Sequence, residues 1–244
     1  MSGLRIAMWS GPRNISTAMM RSFENRGDTT VLDEPFYAHY LLKTKLNHPG
    51  RGDVLNSQSQ DWSNVANMCI GDIPDGKAIW YQKHMAQHNL KGNSLDWIEK
   101  VKNCLLIRNP KDVITSYGKR FPIEDESLLG YSQQIDILDR VREITGENPP
   151  ILDSKDILRD PKTMLLALCK NIGISFKDKM LSWPIGKRET DGVWAPYWYS
   201  QVEDSTGFIP LNEKEKKIDD QFISIYDKCM VHYERLYKHR IRLK

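Results

Sequence analysis

Short apolar runs alternate with amphipathic stretches along most of this chain. Ile6 to Trp9, Thr30 to Asp33, Ala78 to Gln82, Cys104 to Ile107 and Ile151 to Asp153 are runs of three to five residues, the texture of strands covered on both faces. Helical spacing follows at Ser16 to Asn25, where Met19 and Phe23 share a face, and at Ser94 to Val101, Pro110 to Lys119 and Asp160 to Asn171. It recurs at Tyr131 to Thr145 through Ile135, Leu138 and Val141, and in a final helix from about Asn212 to Arg240 that lines up Ile218, Phe222, Ile225 and Cys229. Two stretches follow neither period. Asn47 to Gln60 is polar and holds Pro49-Gly50 and Gly52, and Pro184 to Pro210 is rich in Trp, Tyr and Gly. The second is long enough to read as a lid or binding loop. Strands alternating with helices predict an α/β fold of three layers, a central parallel sheet flanked by helices. The expected organisation is one domain over residues 1–244, with a lid-like loop at about 184–210 and a terminal helix at about 212–240. In such sheets ligands bind outside the carboxyl ends of the strands.

Charge narrows the class without naming a ligand. A formal net charge of +3 on 244 residues is too small an excess to argue for nucleic acid as a partner. Arg5, Arg13, Lys83, Arg108 and Lys111 nevertheless fall on or beside predicted strand ends, where they would focus a field on a polyanion. No segment approaches the roughly 20 apolar residues that span a bilayer, so no membrane partner is expected. The amino terminus runs straight into a strand, without the basic start and apolar core of a secretory signal. Cys69, Cys104, Cys169 and Cys229 are dispersed in apolar surroundings and read as reduced core thiols of a cytoplasmic protein. No ligand spacing typical of zinc or magnesium occurs, so no metal is expected.

Two strand-to-helix turns carry the candidate chemistry. In Gly11-Pro12-Arg13-Asn14-Ile15-Ser16-Thr17 a turn with a cation leads into a helix that opens on hydroxyl groups. In Cys104 to Tyr117, Asn109 reads as an N-cap, Pro110 as the first helical residue and Asp112 as a first-turn acid. Arg108 then stands at the strand end and Ser116 about two turns into the helix. Free N–H groups at a helix start, the positive end of its dipole and a nearby guanidinium all favour a phosphate or sulfate. Two such turns predict a ligand that is anionic at both ends. Ser16 and Thr17 can cap their helix and bind phosphate at once.

The second turn resembles the 3′-phosphate clamp of sulfotransferases that use 3′-phosphoadenosine 5′-phosphosulfate (PAPS), in which the Arg and the Ser hold that phosphate. The first resembles the same family's 5′-phosphosulfate loop, with Asn14 and Ile15 in place of its usual Ser-Gly and Ala18 in place of a frequent aromatic residue. The resemblance runs from about residue 5 to 120 and implies the P-loop-like sulfotransferase fold, PAPS as co-substrate and a small-molecule or carbohydrate acceptor. It assigns Gly11, Pro12, Arg13, Asn14, Ile15, Ser16, Thr17, Arg108 and Ser116 to the nucleotide. The family's Gly-x-x-Gly-x-x-Lys is absent near residues 184–210, where only Lys187 and Arg188 are carried over as nucleotide ligands.

Transfer of a sulfuryl group needs charge stabilisation, a base and in-line placement. Arg13 is the stabiliser, its charge being permanent. Two residues compete for the base. Glu34, 21 positions after Arg13, follows the second strand and resembles the base of the tyrosylprotein and some bacterial carbohydrate enzymes. His84 ends the third strand beside Lys83 and resembles, with one residue missing between them, the Lys-x-His of the cytosolic enzymes. Strand alternation opposes both Lys83 and His84 facing the site. The favoured assignment is Glu34 as base and Lys83 as a second cation, with His84 as the other candidate. Trp62, Trp80, Trp97, Trp194 and Trp198 are candidates for an aromatic acceptor pocket or for the core. Alternative readings are a P-loop kinase or hydrolase, which lacks its Gly-x-x-x-x-Gly-Lys-Ser/Thr here, and a non-catalytic nucleotide-binding protein that kept the fold.

Overall fold

Period-two alternation along the first strand sorts the whole core. Of its residues, Ile6 and Met8 point to one face of a sheet and Ala7 and Trp9 to the other, all of them buried. The computed structural model describes residues 3–210 and 216–242. In chain order the elements are β1 (Leu4–Ser10), α1 (Ser16–Glu24), β2 (Thr29–Asp33), α2 (Tyr37–Thr44), α3 (Arg51–Ser57), α4 (Trp62–Ile70), β3 (Ile79–Met85) and β4 (Lys102–Ile107). These are followed by α5 (Pro110–Tyr117), α6 (Tyr131–Thr145), β5 (Ile151–Asp153), α7 (Ser154–Arg159), α8 (Pro161–Ile172), α9 (Ala195–Trp198), α10 (Ser200–Glu203) and α11 (Ile223–Lys238). The five strands form one all-parallel sheet in the order β2-β3-β1-β4-β5.

Helices cover both faces, as the alternation of elements predicts. Met19, Met20 and Phe23 of α1 and Met164, Leu165 and Leu168 of α8 pack on the Ile6–Met8 face. Trp62 and Val65 of α4, Leu138 and Val141 of α6, and Cys229 and Leu236 of α11 pack on the Ala7–Trp9 face. Each such side chain taken out of water contributes about 1.5–3 kcal/mol, so the two faces supply most of the driving force for this order of layers. The central strand β1 lies between β3 and β4, and the chain leaves it first toward β2 and later toward β5. That reversal opens a crevice at the carboxyl ends of β1, β3 and β4.

Five expectations about elements need correction. The stretch from Ser94 to Val101 is a short 3-10 helix, Asp96–Lys100, because the Asn103 amide takes the carbonyls of Ile98 and Val101 at 2.8 and 3.2 Å and turns the chain directly into β4. The loop expected from Asn47 to Gln60 contains α3, whose single buried residue, Val54, is too little to leave a helical period in the sequence. The lid-like region holds α9 and α10 and is closed at its base by an antiparallel bridge between Ser182 and Gly207. The final helix starts at Ile223, later than expected; of the expected start, residues 211–215 lie outside the described residues. Strand β3 also runs past Gln82 to Met85, so two further polar residues, Lys83 and His84, are buried in the sheet.

Candidate active site

The turn after β1 is shaped by close packing. A Cβ on Gly11 would lie 2.5 Å from the carbonyl oxygen of Leu129, so only glycine fits there. Asn14, standing where the resembled loop has Ser, donates through Nδ2 to the Leu106 carbonyl at 3.1 Å and accepts from the Ile15 amide at 2.8 Å, which staples the turn to β4. The left-handed residue of the turn is Arg13, at φ 53°, while Ile15 stays at φ −91°. A β-branched residue at Ile15 is therefore no obstacle to the loop. Helix α1 begins without a side-chain cap, leaving its first N–H groups pointing into the crevice end of the sheet.

Arg13 is the meeting point of the two turns. Its Nε donates to Ser116 Oγ at 3.0 Å, and its carbonyl accepts from Arg108 Nη1 at 2.7 Å. Arg108 is held in turn by the Tyr131 hydroxyl, which donates to its carbonyl at 2.7 Å. Burial, then the nearby Arg120 and Arg108 guanidiniums, push the Arg13 pKa below its ordinary value. Cations crowded to this degree are poised for an anion. Arg120, exposed just past α5, was not legible as part of this group because no motif contains it.

Across the crevice a buried lysine binds two carboxylates. Parallel pairing sets Asp33 beside Lys83, and the Lys83 ammonium donates to Asp33 Oδ1 at 3.0 Å, Glu34 Oε1 at 2.7 Å and the Tyr199 hydroxyl at 2.5 Å. Asp33 also accepts from the Tyr199 hydroxyl at 2.6 Å and from the Gly192 amide at 3.1 Å. Its charge is thus fully solvated by protein. Among the described residues the Glu34 carboxylate bonds to Lys83 alone, and its pKa is raised because burial outweighs the attraction of Lys83, with Asp33 adding repulsion. Lys83 sits well above its ordinary value, held there against burial by Asp33, Glu34 and Tyr199. Glu34 is left-handed at φ 39°, pinned by its amide on the Lys83 carbonyl and by Gln58 Nε2 on its own carbonyl. Left-handed backbone at Arg13 and Glu34 costs about 1–3 kcal/mol at each residue, a strain typical of functional sites.

One cavity of about 110 Å³ is lined by Arg13, Glu34, Lys83 and Tyr199 of these groups; Arg108, Ser116 and Asp33 are not part of its lining. Pro12, Arg13, Asn14, Ser16 and Thr17 line one end, with Glu34 and Lys83 beside them; Tyr37, Tyr40, His48, Gln87, His88, Trp194, Trp198 and Tyr199 belong to its remaining wall. The aromatic wall uses Trp194 and Trp198 of the five tryptophans considered; Trp62 and Trp97 belong to the core under β1.

Several predicted residues lie elsewhere. His84 occupies the opposite face of β3 from Lys83, stacked on Trp9 at 4.4 Å between centroids and near Phe36 and Trp97, with Nε2 on Gln82. Burial lowers its pKa to about 3, so at neutral pH it is an uncharged core imidazole outside the cavity. The adjacent pair points to opposite faces of β3, and Lys83 is the one that lines the cavity. Lys187 and Arg188 border a separate opening beside Asp53 and Asp191, and Arg188 Nε lies 3.7 Å from Glu24 at the far end of α1 from Ser16. The absence of the family's spacing is the reason: here the loop is anchored by Asp191, paired with the buried Arg21 at 2.6 Å. Sequence reading missed Asp33, Tyr199 and His88, which carry no motif; only the aromatic density of the loop signalled Tyr199.

Comparison with known proteins agrees with this architecture. A family model described as a sulfotransferase domain matches residues 4–234. The chain belongs to that sulfotransferase family, which sets aside the kinase reading. Among solved structures, a sulfotransferase from Alicyclobacillus acidocaldarius superposes with a TM-score of 0.56 at 13% identity, covering 99% of this chain and 98% of the other. The sulfotransferase domain of the Synechococcus PCC 7002 olefin synthase gives 0.55 at 16%, covering 93% and 95%. The fold is the P-loop-like sulfotransferase fold. Two Arabidopsis thaliana proteins named branched-chain-amino-acid aminotransferase-like proteins 1 and 2 are 36% and 32% identical over 83% and 96% of this chain. The chain spans only 36% and 41% of their length. No helix among the described residues is long and apolar enough to cross a membrane.

Proposed function

We propose that this protein transfers a sulfuryl group from PAPS to a hydroxyl or amine of a small acceptor, acting as a single catalytic unit. The observation that carries this reading is the convergence of Arg108 and Ser116 on Arg13, which lines one cavity together with the Glu34–Lys83 pair. Arg108 and Ser116 grip the 3′-phosphate; the uncapped start of α1, with Ser16 and Thr17, receives the 5′-phosphate. Arg13 exchanges its bond to Ser116 for the developing charge on the bridging oxygen. Glu34 accepts the acceptor's proton as the new bond to sulfur forms and the bond from sulfur to the phosphate oxygen breaks. Lys83 keeps that carboxylate from being repelled by the sulfuryl oxygens. A cytoplasmic, reducing setting fits the four cysteines, all free and buried.

Titration calorimetry with 3′-phosphoadenosine 5′-phosphate (PAP), the desulfated product, is the direct test, and absence of binding would end this reading. Arg108→Ala is expected to weaken PAP binding well over tenfold, since charge-assisted bonds contribute about 1.5–3 kcal/mol. Arg108→Lys, which keeps the charge but loses the fork, should fall between; unchanged affinity in Arg108→Ala removes Arg108 from the clamp.

A further inference from the structure

One oxygen of the covering segment stands between the buried charges. The Tyr199 hydroxyl lies 2.5 Å from Lys83 Nζ, 2.6 Å from Asp33 Oδ2 and 3.1 Å from Trp194 Nε1. An ammonium and an indole N–H only donate, so they occupy the acceptor positions of that oxygen, and its one hydrogen goes to Asp33. Burial, then Asp33, hold the phenol far above its ordinary pKa, which keeps it a donor. The oxygen is also fixed in place. Asp191 pairs with Arg21 of α1 at 2.6 Å, the adjacent Gly192 amide donates to Asp33 at 3.1 Å, and the Tyr199 amide donates to the Ala195 carbonyl at 2.9 Å. Tyr199 itself is 4% exposed.

The three hydrogens of the Lys83 ammonium are divided among Asp33, Glu34 and Tyr199. Two carboxylates therefore compete for one ammonium, and the one better supplied with other donors draws on it less. Asp33 has the Tyr199 hydroxyl and the Gly192 amide besides Lys83, whereas the Glu34 carboxylate has no second donor among the described residues. The remaining titratable groups around the cavity do not take over this part. Tyr37 and Tyr40 of α2 and Tyr117 of α5 are phenols pushed up by burial, and burial holds His48 and His88 toward the uncharged ring. Arg13 is bonded to Ser116. What distinguishes the two carboxylates thus comes from the covering segment.

We infer that Tyr199 is a positioning residue for Glu34: by donating to Asp33 it leaves the Lys83 ammonium to Glu34 and so keeps that carboxylate ionised and ready to take a proton. This rests on the reading of Glu34 as the base. The effect has a definite sign. Without the hydroxyl, Asp33 is a donor short and takes up the ammonium hydrogen that the same change frees, so Glu34 loses compensation and binds its proton more tightly. With Asp33 replaced by a neutral amide that competition is gone, and losing the hydroxyl no longer tightens the proton on Glu34. A tyrosine that merely filled space would show no such dependence on a charge.

The test follows the Glu34 carboxyl directly, by NMR titration of the purified chain labelled with carbon-13 glutamate, the signal being identified by its loss in Glu34→Gln. Tyr199→Phe keeps the ring, whose centroid lies 4.7 Å from the ammonium, and removes the oxygen alone. Its Glu34 midpoint is expected at least about half a pH unit above wild type, as for a lost hydrogen bond. Incorporating 3-fluorotyrosine at position 199, a near-isostere whose hydroxyl is the stronger donor, should lower the midpoint, and it decides alone if Tyr199→Phe does not fold. Asp33→Asn should also lower it, by removing the repulsion, and adding Tyr199→Phe to that variant should not raise it again. Unmoved midpoints, shifts of the opposite sign, or a rise that persists without the Asp33 charge overturn the inference. None of these readouts needs nucleotide or acceptor. Absence of PAP binding by the wild-type chain overturns the nucleotide reading instead, and undiminished turnover of Glu34→Gln overturns the base assignment, so the failures are told apart.

Discussion

Glu34→Gln is expected to lower kcat by about 10²–10⁴-fold, the range for losing a general base, while PAP affinity changes by less than about twofold. The substitution keeps volume and the backbone turn pinned by Gln58 and Lys83, so the effect isolates proton transfer. The pH profile supplies a second readout. Because burial and Asp33 raise the Glu34 pKa, wild-type kcat/KM should climb with pH through a value above the ordinary carboxylate range of about 4.3, and that limb should vanish in the variant. Stability moves the other way. A group whose folded pKa is raised binds more protons folded than unfolded, so its contribution is complete below the ordinary Glu value and is lost as pH rises through the raised one. Denaturant midpoints for wild type and Glu34→Gln should therefore diverge across that window. Equal turnover in the two proteins would transfer the base role elsewhere.

Lys83→Met should cost about 3–5 kcal/mol of stability, the penalty for stranding buried charge. Lys83 is 1% exposed and carries both carboxylates, so its removal leaves Glu34 without a partner and Asp33 with two neutral donors. Adding Glu34→Gln to Lys83→Met removes one stranded carboxylate, and the double variant should be more stable than the sum of the single losses predicts. Chemical denaturation of the four proteins measures this coupling. Strict additivity would show that Lys83 and Glu34 act independently, against the 2.7 Å contact.

What could be read from the sequence was chemistry contained in contiguous turns. Arg13, Arg108 and Ser116 stand out because a strand end, a turn and a helix start are encoded within a dozen residues each. That Lys83 and His84 cannot both face the site was equally open to reading, since alternation along a strand is a two-residue rule; which of the two does was not, and the packing of His84 on Trp9 decides it. Tyr199 was not, because it reaches Lys83 across 116 positions and no local pattern reports that closure. His88 carries no motif; only the packing of Tyr37 and Tyr40 of α2 against it shows that its ring is held, with Nδ1 lacking a hydrogen-bond partner among the described residues. The helix α3 escaped notice for a related reason: Val54, its one buried residue, and the partly buried Leu55 are adjacent in sequence, so its packing leaves no helical period to read.

The donors that solvate Asp33 come from the covering segment: the Gly192 amide and the Tyr199 hydroxyl. Swinging that segment away would strip Asp33 of both and leave it to draw more heavily on the Lys83 ammonium, at the expense of Glu34. On the proposed reading, the residues that cover the cavity thereby also help to hold the carboxylate proposed as base, through the ammonium that it shares with Asp33.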